Sequence, residues 1–243
     1  MKLIICMDDT DNLESKGTGW LVEDACREMT AMGWGRYSQI SRHQLFVHPD
    51  IPYTSHNSSM VFTADTDVPE EKYVEFLSAY LERHSAPGSD PGLCVASEPL
   101  NGTREALISF GLRAKKEVLT KAEAYALARE LGVHLSEHGG TGGGVIGALA
   151  GIGLRLWGND GRFRGWFHLS RDGEVVTADR ILAFESVEAI RTPEGATVQD
   201  DALITISDQL KTICMDGRST LLVHPADGDG VFRVLAKQEL KRY

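Results

Sequence analysis

The feature that most restricts the fold of this chain is the run His138-Gly-Gly-Thr-Gly-Gly-Gly144. It leads without a break into Val-Ile-Gly-Ala-Leu-Ala-Gly-Ile-Gly-Leu. Glycines in a linker are common, but a linker does not run straight into an apolar helix. The spacing predicts a helix over 145–157, and its small residues Gly147, Ala150, Gly151 and Gly153 predict that another element packs on it at close range. Gly139, Gly140, Thr141, Gly142, Gly143 and Gly144 would expose backbone N–H groups at that helix's N-terminus. The helix dipole adds to their pull on an anion, so a nucleotide phosphate is the expected ligand class. No Lys-Ser/Thr pair follows the last glycine, which separates this loop from a Walker A motif.

Leu3 to Met7 is an unbroken apolar stretch that ends in acids, the pattern of a buried central strand. Residues 17–32 carry Leu21, Val22, Ala25, Met29 and Met32 at helical spacing, and Gly33 stops the helix. Strands are expected around 38–47 and 58–64, a helix over 69–84, and a short strand over 93–96. This order is β-α-β-β-α-β, the ferredoxin-like split unit. Helices are expected over 103–116 and 120–131, the second opened by a Thr120/Glu123 capping box. Val-Glu-Ala-Ile-Arg-Thr, Ala-Leu-Ile-Thr-Ile-Ser, Ser-Thr-Leu-Leu-Val-His-Pro and Phe-Arg-Val-Leu-Ala-Lys read as strands of the C-terminal part. The fold class is α+β (α/β). A division is expected near residue 100, giving a ferredoxin-like part over 1–100 and a glycine-loop helix with C-terminal strands over 101–243.

Asp8, Asp9 and Asp11 crowd the carboxyl end of the first strand, where open α/β sheets bind ligands. Three carboxylates within four residues repel one another, and a hard cation such as Mg²⁺ relieves this. The alternative is a solvated loop with an Asp as helix cap. Gly17 and Gly19 flank Thr18 at the next helix entry, where glycine lets a ligand approach the backbone. His43, His48 and His56 flank the loop between the second and third strands and are candidates for phosphate or substrate contact. Cys6, Cys26, Cys94 and Cys214 form no C-x-x-C pair, so a zinc ribbon has no ligands and the thiols read as reduced core residues. The chain has 243 residues and a net charge of −10, which argues against general nucleic-acid binding. No apolar stretch approaches the length of a membrane span and the N-terminus lacks a signal-peptide pattern, so a cytoplasmic protein is expected. Self-association is left open.

Asp8-Asp-Thr-Asp11, Gly17-Thr18 near the helix start, His48-Pro-Asp-Ile-Pro-Tyr-Thr-Ser-His-Asn57, Asp90-Pro-Gly-Leu-Cys-Val-Ala-Ser97 and the glycine run stand in one order. In that order they resemble the archaeal tRNA-Ile agmatinylcytidine synthetase (agmatidine synthase) family, over its kinase-like and ferredoxin-like region. The stretches Ser186–Thr197 and Leu222–Leu240 are also similar to the family. The resemblance implies ATP and Mg²⁺ at Asp8, Asp9, Asp11 and the Gly139–Gly144 loop, with Thr18 at the place of an autophosphorylated threonine. His43, His56 and Asn57 are possible substrate contacts. Thr141 and Gly143 stand where the family has Asn and Arg, and Thr54-Ser55-His56-Asn57 where it has Thr-Arg-Gly-Asn. Two guanidinium groups suited to bidentate phosphate contact are thus absent. The family's OB-fold and zinc ribbon have no counterpart in this sequence, so tRNA is not the expected partner of this chain alone. The expectation is phosphoryl transfer from Mg²⁺-ATP to Thr18 or to a small-molecule acceptor. The alternatives are a non-catalytic nucleotide or small-amine module, and tRNA modification with a partner that supplies the RNA-binding domains.

Overall fold

The computed structural model describes residues 1–53, 56–100, 102–226 and 230–243. These residues form two compact units, Met1–Trp157 and Gly158–Tyr243. The first unit contains β1 (Lys2–Asp8), α1 (Thr18–Ala31), β2 (Arg36–Tyr37), β3 (Ser41–Gln44), β4 (Ser58–Asp65), α2 (Glu70–His84), β5 (Gly92–Glu98), α3 (Arg104–Arg113), α4 (Lys121–Leu131), β6 (His134–Glu137) and α5 (Val145–Trp157). Its strands follow the order β6-β5-β1-β4-β3, with β2 also on β4, and each of these pairings is antiparallel. The chain is therefore a mixed α+β protein.

Period-2 alternation sorts β1 into two faces. Leu3, Ile5 and Met7 pack with Leu21, Val22, Ala25 and Met29 of α1 and with Tyr73, Leu77, Tyr80 and Leu81 of α2. Ile4 and Cys6 pack on the opposite side with α3, α4 and α5. Asp8 shares the parity of Ile4 and Cys6, so alternation directs its carboxyl toward α5. The glycines of α5 make that approach possible. A Cβ on Gly147 would overlap the Asp8 carboxyl, and one on Gly151 would meet Cys6 Sγ at 2.5 Å and Ser59 Oγ at 2.7 Å. One helical turn of α5 thus matches two residues of β1. On its far side a Cβ on Gly153 would overlap the backbone of Leu107, and one on Gly111 of α3 would meet Ala150 O of α5 at 2.8 Å. Leu149, Ile152 and Leu154 are fully buried in the same cluster, each worth about 1.5–3 kcal/mol of burial.

This packing corrects the division near residue 100. The segment 101–157 completes the second face of the β1 sheet and belongs to the first unit, because β1, β4 and β5 would otherwise leave Ile4, Cys6, Val61, Cys94 and Ala96 uncovered. The capping box forms as expected: Thr120 Oγ1 accepts from the Glu123 amide at 3.2 Å, and the Glu123 carboxylate accepts from the Thr120 amide at 2.9 Å.

The second unit contains β7 (Arg162–Phe163), β8 (Val175–Thr177), α6 (Ala178–Leu182), β9 (Ala189–Arg191), β10 (Leu203–Thr205), β11 (Ile213–Met215), β12 (Arg218–Pro225) and β13 (Val231–Val234), then a 3₁₀ turn over Glu239–Arg242. Its strands follow β7-β11-β12-β13-β10-β8, with β9 parallel to β12. Val176, Ile181, Ile190, Ile204, Leu221 and Val223 form its core. No helix among the described residues is long and apolar enough to cross a membrane.

Candidate functional site

The chain leaves β1 at Asp8 and turns at once. Asp9 has φ of 51°, the left-handed region that Asp tolerates better than most residues. Thr10 is buried, and its amide donates to Thr18 Oγ1 at 3.3 Å while its carbonyl accepts from the Ala86 amide at 2.9 Å. Thr18 Oγ1 in turn donates to Asp11 Oδ1 at 3.3 Å. Thr18 is the first residue of α1 and is buried, and Gly17, with φ of 88°, takes the cap position before it. The hydroxyl therefore ties the acidic turn to the helix.

The charges of Asp8, Asp9, Asp11 and Asp90 act on one another here. Burial, then the charges of Asp9 and Asp11, push the Asp8 carboxyl well above the usual range, against a hydrogen bond from the Asp9 amide. Burial, then Asp90 and Asp11, push Asp9 up to about 6. Asp90 lies in the loop before β5, and its role depends on neighbours far away in sequence.

Asp8 and Asp9 open onto a cleft of about 130 Å³, continuous with solvent. Gly143, Gly144, Ile146 and Gly147 at the start of α5 form one wall. Leu45, Ile51 and Pro52 form a second with Asp50 and Asn57, and Ala114, Val118 and Leu119 a third with Glu117. No Lys, Arg or His among the described residues lines it. The amides of Gly143 and Val145 have no protein acceptor among the described residues, as befits the first turn of a helix.

The structure thus brings the acidic motif and the glycine motif together, but only in part. Gly143 and Gly144 face the cleft. Gly139, Gly140, Thr141 and Gly142 fold instead against Ser89, Asp90 and Pro91 on one side and against Glu137 and Lys121 on the other. The lack of side chains at Gly140 and Gly142 is explained by those contacts: a Cβ on Gly140 would overlap Asp90, and one on Gly142 would overlap Glu137. Asp11 and Thr18 lie behind the turn and do not line the cleft. Asn57 does line it, with Nδ2 donating to Phe46 O at 2.6 Å and its carbonyl accepting from the Leu45 amide at 2.8 Å. His43 lies inside β3, fully buried, 2.8 Å from Ser41 Oγ. His48 stacks on Phe46 with ring centroids 5.4 Å apart. His56 is exposed. Thr54 and Ser55 lie outside the described residues.

The donor chemistry of Asp8 and Asp9 suits a hard cation, since each carboxylate faces other carboxylates and no basic side chain among the described residues lines their cleft. Among the described residues no three His, Cys, Asp or Glu side chains converge as a metal cage. Two carboxylates completed by phosphate oxygens do not require one.

No protein-family model matches the chain. It is 30% identical over 155 residues to an uncharacterized protein of Methanocaldococcus jannaschii, a match covering 63% of this chain and 50% of that protein. Among solved structures it is similar to a complex of TiaS with its isoleucine tRNA and ATP, with a TM-score of 0.55 and 26% identity over 63% of this chain and 36% of that one. A complex of TiaS with the same tRNA, AMPCPP and agmatine gives a TM-score of 0.54 and 25% identity over 63% of this chain and 36% of that one. A tRNA fluorescent labeling enzyme gives 0.54 and 25% over the same shares. TiaS is a tRNA-Ile agmatidine synthetase. The chain therefore carries a region similar to part of TiaS, spanning about half of the curated relative's length and about a third of the solved chains.

Proposed function

We propose that the cleft between the acidic turn and the α5 N-terminus binds Mg²⁺-ATP and serves phosphoryl transfer to a small acceptor. The observation that carries this is the placement of Asp8 and Asp9 across one cleft from Gly143, whose amide has no protein acceptor among the described residues. The likeness to a TiaS structure with ATP supports it. The cleft has no cationic side chain among the described residues to meet a polyphosphate, so the first turn of α5 must supply the anion contact and its dipole the field. Asp8 and Asp9 would hold Mg²⁺, which would neutralise phosphate charge during transfer. Leu45, Ile51, Val118 and Leu119 would exclude water from the bound ligand. Thr18 as acceptor is the weaker choice, because its hydroxyl is buried and engaged with Asp11 and the Thr10 amide.

A second reading rests on the same lining. Asp50 and Glu117 line the cleft together with apolar side chains, a chemistry suited to an alkyl amine, and agmatine accompanies the nucleotide analogue in one structural neighbour. An amine would then be the acceptor or its mimic, beside the nucleotide. The neighbours' tRNA is not carried over, because none of the described residues lining the cleft is basic.

Calorimetric titration with ATP, with and without Mg²⁺, tests the first reading. Micromolar, Mg²⁺-dependent binding that Asp9→Asn abolishes is expected. Equal binding by wild type and Asp9→Asn refutes the assigned site. Agmatine binding that Glu117→Gln weakens supports the second reading, and no agmatine binding removes it.

A further inference from the structure

The acidic turn and the glycine loop come from opposite ends of the first unit, and one side chain stands between them. The Asp90 carboxylate lies inside the bend of the glycine loop. Its Oδ1 accepts from the Thr141 amide, and its Oδ2 accepts from Thr141 Oγ1 at 2.8 Å. The backbone around it follows the same template. The Gly144 amide donates to Asp90 O at 3.1 Å, and the His138 amide donates to Pro91 O at 2.8 Å. On the other side Lys121 Nζ donates to Thr141 O at 2.6 Å and pairs with Glu137 at 2.7 Å. Thr141 is thus held through its amide, its hydroxyl and its carbonyl. These contacts fix where α5 begins and therefore how Gly143 and Gly144 are set at the edge of the cleft. Asp90 also faces Asp9, whose charge it disfavours.

We infer that Asp90 is a positioning residue for the phosphate site: its carboxylate clasps the glycine loop in the conformation that presents the α5 amides to the ligand, and its charge weakens the binding it makes possible. The inference rests on the nucleotide reading above. It has a distinctive consequence, because the two parts of the role separate by substitution. Asp90→Asn keeps an acceptor for the Thr141 amide and loses the charge that faces Asp9 and the incoming phosphates. Asp90→Ala loses the clasp as well. Asp90→Asn should bind Mg²⁺-ATP about threefold more tightly than wild type, the scale of one partly screened charge. Asp90→Ala should bind about tenfold more weakly, since an untied loop must be ordered by the ligand.

The test is calorimetric titration of wild type, Asp90→Asn and Asp90→Ala with Mg²⁺-ATP, paired with amide hydrogen exchange of residues 139–144. Opposite changes in affinity, with exchange raised only in Asp90→Ala, support the clasp. Weaker binding in both variants overturns it and makes the charge itself the requirement, as for a metal ligand. Unchanged affinity in both overturns it outright. Failure of wild type to bind Mg²⁺-ATP would refute the nucleotide reading alone. The exchange data would then decide the clasp, which is upheld by faster exchange in Asp90→Ala but not in Asp90→Asn and overturned by equal exchange in all three.

Discussion

Replacing Gly147 by Ala asks whether the buried acid and the glycine face of α5 form one device. In an ordinary helix interior the change stabilises by about 1 kcal/mol, because Ala is the better helix former. Here the added Cβ would overlap the Asp8 carboxyl and would sit 3.1 Å from Leu45 Cδ1. Leu45 can rotate away. Asp8 cannot, since it ends a central strand held on both sides by β4 and β5. Overpacking of this kind costs about 1–3 kcal/mol, so the net effect is a loss of about 1 kcal/mol. For a domain of this size that is roughly 2–4 °C in Tm. In an Asp8→Ala background the overlap is gone and the same change should raise Tm by a similar amount. Calorimetric melting of the four proteins of this cycle measures the coupling directly. A gain in stability from Gly147→Ala in the wild-type background would refute the close approach of α5 to Asp8.

Three further outcomes follow from the same geometry. Thr18→Val should destabilise by about 1–3 kcal/mol, since it strands the buried Thr10 amide, while Thr18→Ser should be nearly neutral; equal effects in urea titration would remove the structural role of the hydroxyl. Thr120→Ala should cost about 1 kcal/mol through loss of the capping box, read as a lower urea midpoint; an unchanged midpoint would contradict it. Asp9 has its folded-state value raised to about 6, from an ordinary value of 3.8. The folded protein therefore holds that proton more tightly, and the stability this confers is full below 3.8 and lost as pH rises through about 6. Metal-free protein should melt lower at pH 7 than Asp9→Asn does, and an identical pH profile for the two would contradict the shift.

Much of this arrangement is legible in the chain. The apolar run of β1 and the small-residue face of α5 each point to burial and close packing, and both are borne out at Gly147, Gly151 and Gly153. What escapes a reading of the sequence are features set by contacts distant along the chain. Edge strand β6, His-Leu-Ser-Glu, pairs only with β5 among the described residues and carries one apolar residue, so it has no strand pattern of its own. Strands β7, β8 and β11 have two or three residues and exist through their partners. His43 reads as part of a loop flank, yet its place in β3 turns it inward beside Ser41. Asp90 stands in the sequence only as the first residue of the Asp90–Ser97 motif, and its partner Thr141 lies 51 residues away. The glycine run announces an unusual backbone, but half of that unusual backbone serves the fold: Gly139, Gly140 and Gly142 are shaped by Pro91, Asp90 and Glu137.

Backbone amide shifts on addition of Mg²⁺-ATP show whether the acidic turn and the first turn of α5 share one ligand. The largest shifts are expected on Asp9, Gly143, Gly144, Val145 and Gly147, and they should vanish when Mg²⁺ is withheld. Shifts that leave these residues unmoved, or that gather in the second unit, would contradict it.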